Sequence, residues 1–170
     1  MKNLMILSVA TLITSLTTSA QDTILKRDPY KLTVVVDKNS FYEQQITATP
    51  YVLPDKTIQI YPGETIYVEV VQENGKVKRL TAVKQIKDTS NTVTISLSQS
   101  VNEKTPELTM LKVTNPFSSQ LIYKAKIFLL TENKWANTDV LPVEARLAGF
   151  EAWPQVITSI VLSDLKIQKK

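Results

Sequence analysis

Between Thr92 and Ser98 every second residue is apolar, with Val93, Ile95 and Leu97 set against Thr92, Thr94, Ser96 and Ser98. A side-chain period of two sorts these residues onto opposite faces of a strand, and a helix of 3.6 residues per turn does not. The same alternation recurs along the chain. Leu32, Val34 and Val36 alternate with Thr33, Val35 and Asp37; Ile58 and Ile60 with Thr57 and Gln59; Ile66, Val68 and Val70 with Tyr67 and Glu69. The longest run sets Leu121, Tyr123, Ala125, Ile127 and Leu129 against Lys124 and Lys126, and Ser159 to Ile167 reads as a closing strand. A chain patterned this way must bury one face of each strand, by stacking sheets or by closing a barrel; lysines such as Lys124 and Lys126 on the outward face disfavour a membrane barrel.

The punctuation fits hairpins. Pro62-Gly63 precedes the strand that starts at Thr65, and Asn74-Gly75 lies between Thr65–Gln72 and Lys76–Val83. Both residues of an Asn-Gly pair tolerate positive φ, which a two-residue hairpin turn demands. Asn115-Pro116 closes the run Leu108–Thr114, and Glu132–Asn133–Lys134 marks the next reversal. Only Val143 to Trp153 has a spacing that allows one or two helical turns, with Gly149 weakening them. Strands every 8–12 residues or so with turns between them predict an antiparallel β-sandwich.

Two segments carry a loose family texture. Ile60 to Ile66, read Ile-Tyr-Pro-Gly-Glu-Thr-Ile, resembles the Pro-Gly-Glu turn that enters a strand in secreted bacterial immunoglobulin-like domains. Leu111 to Pro116, followed by a long strand, is similar to the strand, Asn-Pro, strand pattern of the same group. The resemblance implies an all-β, antiparallel immunoglobulin-like β-sandwich and transfers no functional residue.

The first twenty residues predict a cleaved signal peptide. Lys2 supplies the positive start, Leu4 to Leu16 an apolar run diluted by Ser and Thr, and Thr18-Ser19-Ala20 a small-residue cleavage site before Gln21. That run is short for a membrane span, which needs about 20 mostly apolar residues. Residues 21–170 then form the mature protein, a single β-sandwich domain in the periplasm or outside the cell. Loss of Lys2 takes the net charge from +4 to +3, an ordinary surface value that gives no reason to expect nucleic acid as a partner. No later apolar stretch is long enough to span a membrane, since Ala152 to Ser163 is short and contains Pro154.

Composition removes whole classes of chemistry. The chain contains no cysteine and no histidine, so disulfides, lipid attachment at cysteine, Ser-His-Asp or Cys-His catalysis and zinc sites of nitrogen and sulfur are all excluded. Its three glycines are scattered and build no phosphate loop. Acids are the remaining reactive groups, with Glu64 and Glu69 near one strand and Glu144 and Glu151 further on, and nothing in their spacing announces a catalytic pair or a calcium loop. Ser163 and Lys166, three residues apart in a strand, are expected on opposite faces. The expectation is therefore a non-enzymatic protein without cofactor or metal.

Binding residues are the better candidates. Trp135, in the expected turn beside Asn133, Lys134 and Asn137, is placed as an exposed platform for a sugar or a partner protein. Lys124 and Lys126 share the outward face of the long strand. Lys76, Lys78, Arg79, Lys84 and Lys87 form a second basic stripe, suited to an anionic polymer or simply to guarding a strand edge. Trp153, before Pro154, is expected to pack on the core. The favoured function is protein–protein contact, with another envelope or extracellular protein as partner in an envelope or surface assembly. A carbohydrate-binding module that takes polysaccharide is the alternative, and a carboxylate-dependent hydrolase the second.

Overall fold

The computed structural model describes residues 24–73 and 75–168. The expected signal peptide, residues 1–20, lies outside the described residues, as do Asn74 of the Asn-Gly turn and the terminal lysines. Among the described residues eleven strands follow in order. They are β1 (Tyr30–Val35), β2 (Phe41–Ile46), β3 (Ile58–Ile60), β4 (Thr65–Glu73), β5 (Lys76–Val83) and β6 (Thr92–Asn102), then β7 (Thr105–Thr114), β8 (Gln120–Leu129), β9 (Lys134–Thr138), β10 (Ala148–Trp153) and β11 (Ile157–Gln168).

The protein is all-β and antiparallel, as its alternation predicts. The strands form three sheets: β10-β7-β6-β4-β5, β3-β11-β8-β9, and a separate hairpin of β1 and β2. Both larger sheets turn their apolar faces into one cluster. Ile66, Val68, Ile95, Leu97 and Leu111 come from the five-stranded sheet, and Ile58, Ile60, Ile127, Ile160 and Leu162 from the four-stranded sheet. Full burial of each such aliphatic side chain stabilises by about 1.5–3 kcal/mol, and that must serve a chain with no disulfide. The hairpin has a smaller core of Leu32, Val34, Ile46 and Val156. The Gln99 side chain docks it, accepting from the Val35 N–H at 2.9 Å and donating to the Val35 carbonyl at 2.8 Å.

Two turns explain themselves chemically. Pro62 and Gly63 fill the corners of a turn closed by the Glu64 N–H donating to the Tyr61 carbonyl, and Gly63 sits at φ 92, which a side chain would strain. Asn115, buried, donates through Nδ2 to the carbonyls of Ser119, Val143 and Glu144 and accepts from the Phe117 N–H. It thereby ties the turn before β8 to the irregular loop before β10.

Three expectations are corrected. The stretch Val143 to Trp153 forms no helix: its second half is β10, paired with β7 from Ala148↔Thr114 to Trp153↔Thr109. The reason is pairing, because β7 offers Ala148–Trp153 a full antiparallel ladder that outranks the weak local helical spacing. Trp135 is the second residue of β9 rather than part of the turn, since the reversal ends at Asn133, which takes φ 48. Ser163 and Lys166 do not face opposite ways. A register shift places them across from Lys124 and Ile122, neighbours on one face of β8, because Asp164 at φ 54 is an extra residue in the strand.

Candidate functional site

The N-terminal segment is pinned by one buried cation. Arg27 is only 2% exposed. Its Nε donates to Glu64 Oε1 at 2.9 Å, Nη1 to Thr49 Oγ1 at 2.5 Å and to the Pro50 carbonyl at 3.2 Å, and Nη2 to the Gln59 carbonyl at 2.9 Å. The guanidinium lies 4.6 Å from the Tyr51 ring centroid and 5.0 Å from that of Tyr61. Glu64 also accepts from the Tyr61 N–H through Oε2, so one carboxylate caps its own turn and neutralises the arginine. Such a charge is tolerable in a core only because nearly every donor is used. Burial first, then the Glu64 charge, pushes the Tyr30 phenol up; burial also leads for Tyr51 and Tyr61. The Tyr30 hydroxyl itself is buried without a hydrogen bond of ordinary geometry.

Arg27 fixes one wall of a groove, and β5 forms the other. β5 is the last strand of its sheet, so nothing pairs with it on the side away from β4 among the described residues. The direction of its free groups follows from register. The Val70 N–H donates to Asn91, on the side of β4 away from β5. Val70 faces Leu80 across the β4–β5 ladder, so Leu80 is in a non-hydrogen-bonded pair and turns its N–H and carbonyl outward. Ala82, two residues on, does the same, while the outward Val77 carbonyl is taken by Lys56 Nζ at 3.1 Å. Facing this edge are Ile24, Leu25, Val52, Leu53 and Pro54, which with Leu80 and Ala82 give the groove an apolar floor. It continues past Lys26 and Tyr51 as a recess of about 860 Å³.

The three residues singled out from the sequence come together on a different surface. Trp135 is paired in register with Phe128, and their rings meet edge to face at 5.4 Å. Lys126 lies opposite Asn137, and Lys124 is the next residue on the same face. Trp135 is 44% exposed, and Lys124 forms an ion pair with Asp164 at 2.7 Å. The Asp164 carboxylate, first by hydrogen bond and then by charge, holds the Lys124 ammonium above its ordinary value. Trp153 packs against the main core, and its Nε1 donates to Thr138 Oγ1 at 3.0 Å.

The acids are dispersed into structural roles. Besides Glu64, Glu144 accepts from Gln120 Nε2, and Glu151 accepts from the Leu141 N–H. Among the described residues no group of three or more acidic side chains is placed to hold a metal ion. Ser163 and Lys166, though on one face, make no hydrogen bond with each other among the described residues. No helix among the described residues is long and apolar enough to cross a membrane. No protein family, curated protein or solved structure matches the chain.

Sequence reasoning missed the groove because it is built from segments distant in the chain. The basic stripe of Lys78 to Lys87 was a partial signal. Nothing in the sequence marked Ile24 and Leu25 as its opposite wall.

Proposed function

We propose that this protein is an exported, non-enzymatic, immunoglobulin-like β-sandwich, periplasmic or secreted, that acts through protein–protein contacts as an accessory of an envelope or surface assembly. The observation that carries the reading is the open edge of β5, whose Leu80 and Ala82 turn backbone groups outward over an apolar floor. An unpaired edge of this kind is a template for another strand, and soluble proteins normally blunt or cover it. A photo-reactive residue at Lys84, beside that edge, should give a discrete protein adduct in the native host's envelope or culture fluid. The same probe at Lys38, in the β1–β2 hairpin, should give none. Equal labelling from both positions, or none from Lys84, would overturn the reading.

The Trp135 surface favours a second reading, carbohydrate binding. An exposed indole beside Lys126, Asn137 and Phe128 offers a stacking face with hydrogen-bonding neighbours. Retention on a polysaccharide column that Trp135→Ala abolishes would support it.

A further inference from the structure

Charge is not spread evenly over this molecule. The groove between β5 and the N-terminal segment is bordered by Lys26, Lys56, Lys78, Arg79, Lys84 and Lys87, against Asp28, Glu69 and the Glu73 that pairs with Lys78. Cations therefore outnumber acids along this sheet edge. Lys26, Lys84 and Lys87 have no ion pair among the described residues, whereas Lys78 reaches Glu73 at 3.0 Å and Lys56 holds the Val77 carbonyl.

We infer that the β5 edge accepts an extended segment of a partner protein in which apolar and acidic residues alternate. The inference rests on the protein-contact reading above and gives the contact its chemistry. The outward N–H and carbonyl groups of Leu80 and Ala82 supply main-chain hydrogen bonds. Alternate side chains of the added strand point to opposite faces, so one set meets Leu25, Leu53 and Pro54 while the other meets lysines. Clustered positive charge draws an acidic segment in and discriminates against a basic one. It also disfavours a second copy of this chain at the edge, since two such edges would bring together two clusters of positive charge. Edge lysines are a common guard against self-pairing. Here the same residues that repel a copy select the partner.

The test uses two capped synthetic peptides, Glu-Val-Glu-Val-Glu-Val-Glu and its Lys-for-Glu counterpart, titrated into the isotopically labelled protein. The acidic peptide should shift the amide resonances of Leu80, Ala82 and Lys84, and the basic one should not. Ala82→Pro removes one outward donor without touching the ladder to β4, and should weaken binding about tenfold, the scale of one lost hydrogen bond. Lys84→Glu/Lys87→Glu should abolish the peptide preference while leaving the rest of the spectrum in place. Equal binding of both peptides, or of neither, overturns the proposed chemistry. Binding of the acidic peptide that Ala82→Pro leaves unchanged also overturns it, because simple attraction of a polyanion needs no backbone donor. A dimer that forms through β5 without peptide does so too. The Lys84 cross-link reports separately on whether any protein is bound there, so an adduct with failed peptides leaves the contact reading standing and removes only the acidic strand.

Discussion

Removing Arg27 while keeping its apolar stem, as in Arg27→Met, should cost on the order of 3–5 kcal/mol, the range for breaking a buried ion pair from one side. Three losses combine. Glu64, whose side chain is 8% exposed, loses its cation and retains the Tyr61 N–H. The Pro50 and Gln59 carbonyls lose a guanidinium donor, and the cation leaves the faces of Tyr51 and Tyr61. With a urea m-value of about 2 kcal/mol/M for a chain of this size, the midpoint should fall by about 2 M. Adding Glu64→Gln should recover part of the loss, because the stranded charge is then gone. The two changes should therefore be non-additive by more than about 1 kcal/mol in a double-mutant cycle. Urea melts of the four proteins, followed by tryptophan fluorescence, measure both quantities. A cost below about 1 kcal/mol for Arg27→Met, or simple additivity, would refute the account of this residue as the pin of the N-terminal segment.

Trp135→Ala should cost only about 1 kcal/mol, the scale of its edge-to-face contact with Phe128, while Trp153→Ala should cost about 3 kcal/mol through lost core packing; denaturant melts of both decide. Stability should fall as pH rises above about 10, because burial holds the phenols of Tyr30, Tyr51, Tyr61 and Tyr123 above their ordinary value of 10.0. The folded state keeps those protons and the unfolded state releases them, so the stabilisation is complete below pH 10 and is lost above it. Melts at stepped alkaline pH with phenolate absorbance would read this; ionisation of all six tyrosines by pH 10 in the folded protein would contradict it. Gly149→Ala should destabilise by about 1–3 kcal/mol, since the new methyl meets Val143 at 2.7 Å, and in thermal melts the paired change Gly149→Ala/Val143→Ala should cost less than the sum of the two single changes.

The strands visible in the sequence are those with one clean apolar face. β4, β6 and β8 each bury alternate residues, and their registers follow that pattern. β2, β9 and β10 were not legible because neither face is consistently apolar: Glu43, Gln44 and Gln45 are all exposed, and β9 reads Lys-Trp-Ala-Asn-Thr. What makes them strands is pairing with β1, β8 and β7, a tertiary cause that outranks local pattern. Trp135 was expected on the surface and is there, but as a cross-strand partner of Phe128 rather than a loop tip. Lys124 and Lys126 do face outward together. Arg27 left no local trace, because its partners Thr49, Gln59 and Glu64 are 22 to 37 positions away. The hairpin of β1 and β2 escaped for a related reason. Its strands pair with each other, and it joins the rest through the Gln99 side chain and a four-residue core.

Asp164 carries a consequence for the length of β11. With it present, Asp164 and Leu165 together occupy the span that a single residue would fill between Ser163 and Lys166. Leu165 is buried, Lys166 is exposed, and the residues before the bulge alternate in the matching phase. Excise Asp164, and Ser163-Leu165-Lys166-Ile167 becomes an unbroken strand with every remaining side chain on the face it already holds. The chain can therefore be one residue shorter at this point without its later residues changing sides, at the expense of the anchor that Asp164 offers Lys124. Deletion of almost any neighbour in a regular ladder would instead invert everything downstream. Along β11, residue number and face are uncoupled at this site.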